Sequence, residues 1–202
     1  MKNLAVLFLL TLGLITVGFA QSEDVKPTLS KSPLTEEQVA VYRAFLQFYE
    51  HGADKQLNVA DTTEWLDVSE LRQDSDCLKS FGQIDFESPE QAGPTVHTLA
   101  PTLAVAGRIV LVDPAHQKEK VRQNDPGKTM REGKSVDRAV NEAFASGLLT
   151  LSEIAFDKEH RRAVMSFSFF CGRLCGNGGT VMFKRVGHKW KLVKQSCGEW
   201  VS

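Results

Sequence analysis

Apolar residues recur at helical spacing in two stretches of the chain and at a spacing of two in its last third. Val39, Tyr42, Phe45, Leu46 and Tyr49, widened by Val41 and Phe48, predict a helix over Thr35–Glu50. Thr35 and Gln38 have capping-box spacing, Glu36 and Glu37 oppose the helix dipole, and Gly52 suits the end. Val136, Ala139, Val140 and Phe144 form a second stripe, with Ser135 as cap and Gly147 as stop, predicting a helix over Ser135–Ser146.

From Leu148 the period changes. Leu148 to Phe156 leads to a turn at Asp157-Lys158-Glu159-His160, and then Met165, Phe167, Phe169 and Cys171 alternate with Ser166 and Ser168. Thr180 to Val186 and Lys189 to Cys197 follow, joined by Gly187-His188, a pair suited to a type II′ hairpin turn. Pairing Val186 with Lys189 sets Phe183 opposite Leu192, Arg185 opposite Trp190 and Cys197 opposite Gly178. Earlier, Leu57 to Ala60 and Arg108 to Val112 read as short strands, the latter stopped by Asp113-Pro114, and Ser69 to Leu78 reads as a helix carrying Cys77. Phe81 to Pro94 is loop-like. The expected architecture is α+β, a single domain over 35–202 in which N-terminal and middle helices pack on a C-terminal antiparallel sheet of about four strands.

The first residues change the picture of where this domain works. Lys2, an apolar core from Leu4 to Val17 and the small-x-small ending Gly18-Phe19-Ala20 fit a secretory signal over 1–20, followed by a flexible, polar lead-in over 21–34. The apolar run is short for a membrane span of roughly 20 residues. The expectation is a periplasmic or extracellular protein without stable membrane insertion of the mature chain. The net charge of −1 argues against nucleic acid as a partner.

Four cysteines in an exported chain favour two disulfides, with three pairings open. Two of them sit in Phe169-Phe170-Cys171-Gly172-Arg173-Leu174-Cys175-Gly176-Asn177-Gly178-Gly179, which reads as a glycine-rich corner between strands. Four extended steps span about 13 Å, too far for a bridge, but Gly172 lets the chain fold back. Cys171–Cys175 is then feasible with Cys77–Cys197 as its complement, and Cys175–Cys197 is the competitor.

The stretch from Gly147 to Ser202 resembles a family of uncharacterised exported bacterial proteins. The shared features are Leu151-Ser152, Phe156-Asp157-Lys158, Ala163-Val164, the run Cys171 to Gly179, and Trp190-Lys191-Leu192-Val193. The resemblance implies that Cys171 and Cys175 pair with each other and carries no known activity. A weaker likeness to NTF2-like domains, with an early helix in the cup of a curved sheet, implies a pocket between the two. Tyr42, Phe45, Tyr49, Asp61 and Trp190 are its candidate lining.

No serine-hydrolase elbow, zinc-protease or phosphate-loop motif is present, and the five histidines are scattered without ligand spacing. No cofactor or metal is indicated. Asp61-Thr62-Thr63 is one residue from the Asp-Thr-Gly of aspartic proteases, without the glycine or a second copy, and reads as turn chemistry. Lys118, Lys120, Arg122, Lys128, Arg131 and Lys134 read as a solvated, mobile face, with an anion-binding patch as the alternative. Three functional classes follow: an exported binding or structural domain with an unknown small-molecule or protein partner, a thiol–disulfide redox protein using Cys171 and Cys175, and a small-molecule enzyme with acids such as Asp61 and Glu64 in a cupped pocket.

Overall fold

The structure, a computed structural model, describes residues 26–50, 56–82, 85–87, 94–105 and 108–202. The expected signal segment, the first residues of the lead-in and Gly52 lie outside the described residues. In chain order the elements are β1 (Thr28–Leu29), α1 (Glu36–Glu50), β2 (Leu57–Ala60), α2 (Val68–Gln73), α3 (Ser75–Phe81), β3 (Thr95–Val96), β4 (Ile109–Val112), α4 (Pro114–Gln123), α5 (Pro126–Arg131), α6 (Val136–Ser146), β5 (Leu148–Leu151), β6 (Ala155–Phe156), β7 (Arg162–Gly172), β8 (Cys175–Val186) and β9 (Lys189–Val201). The class is α+β.

The sheet is wider than the four strands expected. Among the described residues it has seven, in the order β4-β2-β5-β7-β8-β9 with β6 also on β7. β2 lies parallel to both β4 and β5, and the remaining pairs are antiparallel. Leu57-Asn58-Val59-Ala60 and Ile109-Val110-Leu111-Val112 lack alternation, as suits parallel strands covered on both faces, so periodicity alone could not attach them to the late strands. β1, inside the stretch expected as a lead-in, pairs in parallel with β3.

α1 packs on one face of the sheet. Thr35 and Gln38 close the expected capping box, with Thr35 N–H donating to Gln38 Oε1 at 2.9 Å and Gln38 N–H to Thr35 Oγ1 at 3.2 Å. Val41, Tyr42, Phe45 and Leu46 are buried against Val59, Leu149, Leu151, Met165, Phe169, Phe183 and Trp190. Phe48, expected to widen this stripe, faces out at 59% exposure, because the buried arc ends at Phe45 and Tyr49. α6 also departs from its expected stripe. Ala139 and Ala143 are buried while Val136, Val140 and Phe144 are exposed, and Ser135 makes no side-chain capping bond. The two alanines put the narrow side of the helix inward.

The other face of the sheet is covered at its two ends. Val121 of α4 packs on Ala60 and Leu148, and Leu66, Val68 and Phe86 pack on Ala155, Val164 and Met182. Asp74 separates α2 from α3, where one helix was expected, by capping α3 through the N–H groups of Asp76 and Cys77. Between these covered ends lie Ser166, Ser168 and Thr180.

The β8–β9 hairpin keeps the expected register at Val186–Lys189, Arg185–Trp190 and Phe183–Leu192, and Gly187 has φ 62° as its turn requires. Beyond that the register is corrected. Bulges place Cys197 opposite Thr180 and Trp200 opposite Gly178, so Cys197 does not face Gly178. Cys197 meets α3 instead, and the bridges are Cys77–Cys197 and Cys171–Cys175, with Cα atoms 4.9 and 5.1 Å apart. On the chain-entropy account, replacing Cys77 and Cys197 by serine removes about 5 kcal/mol of stability, and replacing Cys171 and Cys175 about 2 kcal/mol. Denaturant unfolding of the two double variants should therefore rank the first well below the second.

Candidate ligand-binding site

The helix–sheet interface is packed with side chains. Tyr42 and Phe45 are fully buried, and Trp190 is buried against Phe156, with ring centroids 5.7 Å apart. Tyr49 stacks in a cluster with Phe45, Phe167 and Phe169, donates to Asn177 Oδ1 at 3.2 Å, and has its phenol pushed up to about 12 by burial. Asp61 ends β2, where its carbonyl accepts from Leu99 N–H at 2.7 Å. Four of the five proposed pocket residues are thus core or core margin, and Asp61 stands apart at a strand end.

A polar cluster missed by sequence reading lies beside this core. The buried Glu153 carboxylate accepts from Thr63 Oγ1 and, at 3.0 Å, from His97 N–H, and it faces His97 Nδ1 at 3.0 Å. Tyr42 donates to Ser152 O at 2.8 Å, and its phenol is pushed well above its ordinary value by burial first and by the Glu153 charge second. The Glu153 carboxylate is used up inside the protein, tying the segment before Leu99 to the end of β5. Replacing Glu153 by leucine takes the carboxylate from His97 Nδ1, leaves the Thr63 hydroxyl to His97 O and the His97 N–H to Thr63 Oγ1, and is expected to cost about 2 kcal/mol in unfolding experiments. The sequence offered no signal for it, because the three residues are far apart in the chain.

An open cavity forms on the opposite face. The run 115–134, expected as a solvated and mobile face, folds into two helices begun by Asp-Pro pairs. Asp113 Oδ1 accepts from His116 N–H at 2.6 Å, and Asp125 Oδ1 from Lys128 N–H at 3.0 Å, each with proline in the first helical turn. These repeated Asp-Pro pairs were the available signal. Lys118, Val121 and Arg122 share one side of α4, as spacings of three and four require. They border a cavity of about 630 Å³ together with Lys128, Arg131, Leu148, Phe170, Gly172 and Arg173. Its floor is apolar and its rim carries five cations.

Asp125 is the only acid on that rim among the described residues, and it is already engaged. Its second oxygen accepts from Arg173 N–H at 2.8 Å, binding the β7–β8 corner to the start of α5. That N–H first, then the N–H of Lys128, the Arg173 charge and the N–H of Gly127 hold its carboxyl below the usual range. Arg122 pairs with Glu119, and Lys128 lies 4.0 Å from Glu132, whereas Lys118 and Arg131 have no ion-pair partner among the described residues. Gly172 is needed for the docking, since a Cβ there would meet Pro126 Cδ at 2.7 Å. The cysteine corner is therefore one wall of the cavity, with Cys171 buried behind it.

Four of the six basic residues singled out in the sequence, Lys118, Arg122, Lys128 and Arg131, converge here. Arg173, Leu148 and Phe170 join them only through the fold. Glu64 is elsewhere, on a smaller cavity beside Trp65. Among the described residues there is no group of acids, histidines and cysteines placed to hold a metal ion, and no helix long and apolar enough to cross a membrane. Comparison with protein-family models, curated proteins and solved structures finds no match to this chain.

A lowered carboxyl contributes stability above the ordinary aspartate value of about 3.9, which is lost as the pH falls through its folded value. Asp125→Ala removes both the helix cap and the corner contact and is expected to cost about 2 kcal/mol near neutral pH. The difference from the parent protein should shrink on acidification, read as the gap between two urea midpoints.

Proposed function

We propose that the protein is an exported, disulfide-stabilised binding domain that takes an amphipathic anion, such as a fatty acid or an acyl chain ending in a carboxylate or phosphate. The observation that carries this reading is the cavity of about 630 Å³ with Val121, Leu148 and Phe170 for its floor and Lys118, Arg122, Lys128, Arg131 and Arg173 around it. Its volume is that of an ordinary small-molecule site. An alkyl chain on the floor leaves water, and the head group reaches Lys118 and Arg131, which have no ion-pair partner among the described residues. Two disulfides suit the oxidising compartment that the leader over residues 1–20 implies. The same bridges support a constructional role for Cys171 and Cys175, since their corner is held to α5 through Asp125.

Calorimetric titration with dodecanoate, dodecanol and dodecyltrimethylammonium tests the reading. Dodecanoate is expected to bind roughly tenfold more tightly than dodecanol, and the cationic detergent more weakly still. Raising the salt concentration should narrow the gap. Lys118→Ala and Arg131→Ala should each weaken dodecanoate by roughly threefold. Equal binding of acid and alcohol, or none of either, would sink the proposal.

A further inference from the structure

Two tryptophans border the uncovered strip of the sheet, next to the cationic cavity. After β2 the chain runs on beside β5, where Glu64 N–H donates to Leu151 O at 2.8 Å and Glu153 N–H to Glu64 O at 2.7 Å. Trp65 is thereby fixed at one side of the strip. Trp200 of β9 lies flat across the glycines of β8. A Cβ on Gly178 would come within 2.5 Å of Trp200 Nε1, and one on Gly176 within 3.2 Å of its ring. Phe170 braces the indole from the side, with ring centroids 5.4 Å apart. The glycines of the β7–β8 corner thus leave a bare patch of sheet on which an indole rests, one face down, and both tryptophans remain partly exposed.

Between them the floor is hydroxylic. Ser166 and Thr180 form a cross-strand pair at 2.7 Å, and Thr150 and Ser168 another at 2.7 Å. The Ser166–Thr180 pair consumes one hydroxyl proton and leaves one, while Thr150 also reaches Ser168 O at 3.4 Å, and both pairs keep spare lone pairs, so the floor can donate or accept. Trp65, Trp200, Ser152, Ser166, Ser168 and Thr180 line a cavity of about 270 Å³. It continues into a second of about 500 Å³ that shares Trp65, Ser166, Thr180 and Gly198. The charged residues on the two are Glu64, Asp67, Glu70 and Asp74, and no lysine or arginine borders either among the described residues.

We infer that this cleft binds a neutral saccharide. Aromatic faces cover the C–H faces of pyranose rings, hydroxyl pairs with free protons and lone pairs match ring hydroxyls of either polarity, and Glu64 can accept from adjacent hydroxyls. A wholly apolar ligand would leave the floor unsatisfied, and a uronate or sulfated sugar would meet only carboxylates. The site is separate in residues and in charge from the anion cavity, and its failure would leave that proposal standing.

The test uses the whole protein and four tetrasaccharides: those of β-1,4-linked glucose, β-1,4-linked N-acetylglucosamine, α-1,4-linked glucose and α-1,4-linked galacturonate. Tryptophan fluorescence and calorimetry read binding. At least one neutral tetramer is expected to bind and shift the emission, while the uronate does not. Trp65→Ala should weaken that binding roughly tenfold, and Ser166→Ala by a few-fold. Trp200→Phe keeps a ring on the glycines and should retain most of the affinity, so a folding defect in Trp200→Ala would not obscure the answer. Circular dichroism and dodecanoate binding serve as controls for an intact fold. The inference is overturned if no neutral tetramer binds up to about 10 mM, if the uronate binds as well as they do, or if Trp65→Ala leaves binding unchanged.

Discussion

The Asp125 carboxylate serves two pieces of backbone that are distant in sequence. One oxygen caps α5 through Lys128 N–H, and the other holds the β7–β8 corner through Arg173 N–H. Without that double contact the corner and the basic helices would be separate surface features. With it, Arg173 joins Lys118, Arg122, Lys128 and Arg131 around a common apolar floor. The cost of gathering like charges is met by keeping them at the rim, in water, while Asp125, the only acid among them in the described residues, is turned toward backbone donors. The local disulfide shapes the corner that Asp125 grips, and the long Cys77–Cys197 bridge anchors the far edge of the sheet to α3.

The sheet presents two chemistries on one face, and Phe170 stands between them. It forms part of the floor of the cationic cavity and braces Trp200 at the edge of the hydroxylic cleft. Gly172 and Gly178 divide the labour of the corner. Gly172 lets the chain approach Pro126, and Gly178 leaves room for an indole. The opposite face carries the core, in which Tyr42, Phe45 and Trp190 fill the space that a cupped pocket would need.

What the sequence made legible follows from how local each feature is. The capping box at Thr35–Gln38, the alternation of Met165, Phe167, Phe169 and Cys171, and the hairpin at Gly187 are decided by neighbours, and each is present in the fold. The pairing of β2 with β4 is made across α2 and α3, and its pairing with β5 across α2 to α6, and short unbroken apolar runs do not state their partners. The register error at Cys197 came from bulges in β9, which Gly198, with φ 58° and its N–H on Asp76, helps to form. The basic residues of 115–134 were visible as a charged run, but their convergence needed Arg173 and Phe170, about fifty residues away. The Glu153 cluster and the Trp65–Trp200 cleft unite residues with no spacing relation at all.

The most direct test of the central claim is to map amide chemical-shift changes on an isotope-labelled sample as dodecanoate is added. The account predicts that the largest changes fall at Lys118 to Arg122, Asp125 to Arg131, Leu148 and Phe170 to Arg173, with the α1 side of the sheet undisturbed. Changes concentrated between α1 and the sheet, around Tyr42 and Trp190, or no saturable change anywhere, would contradict it.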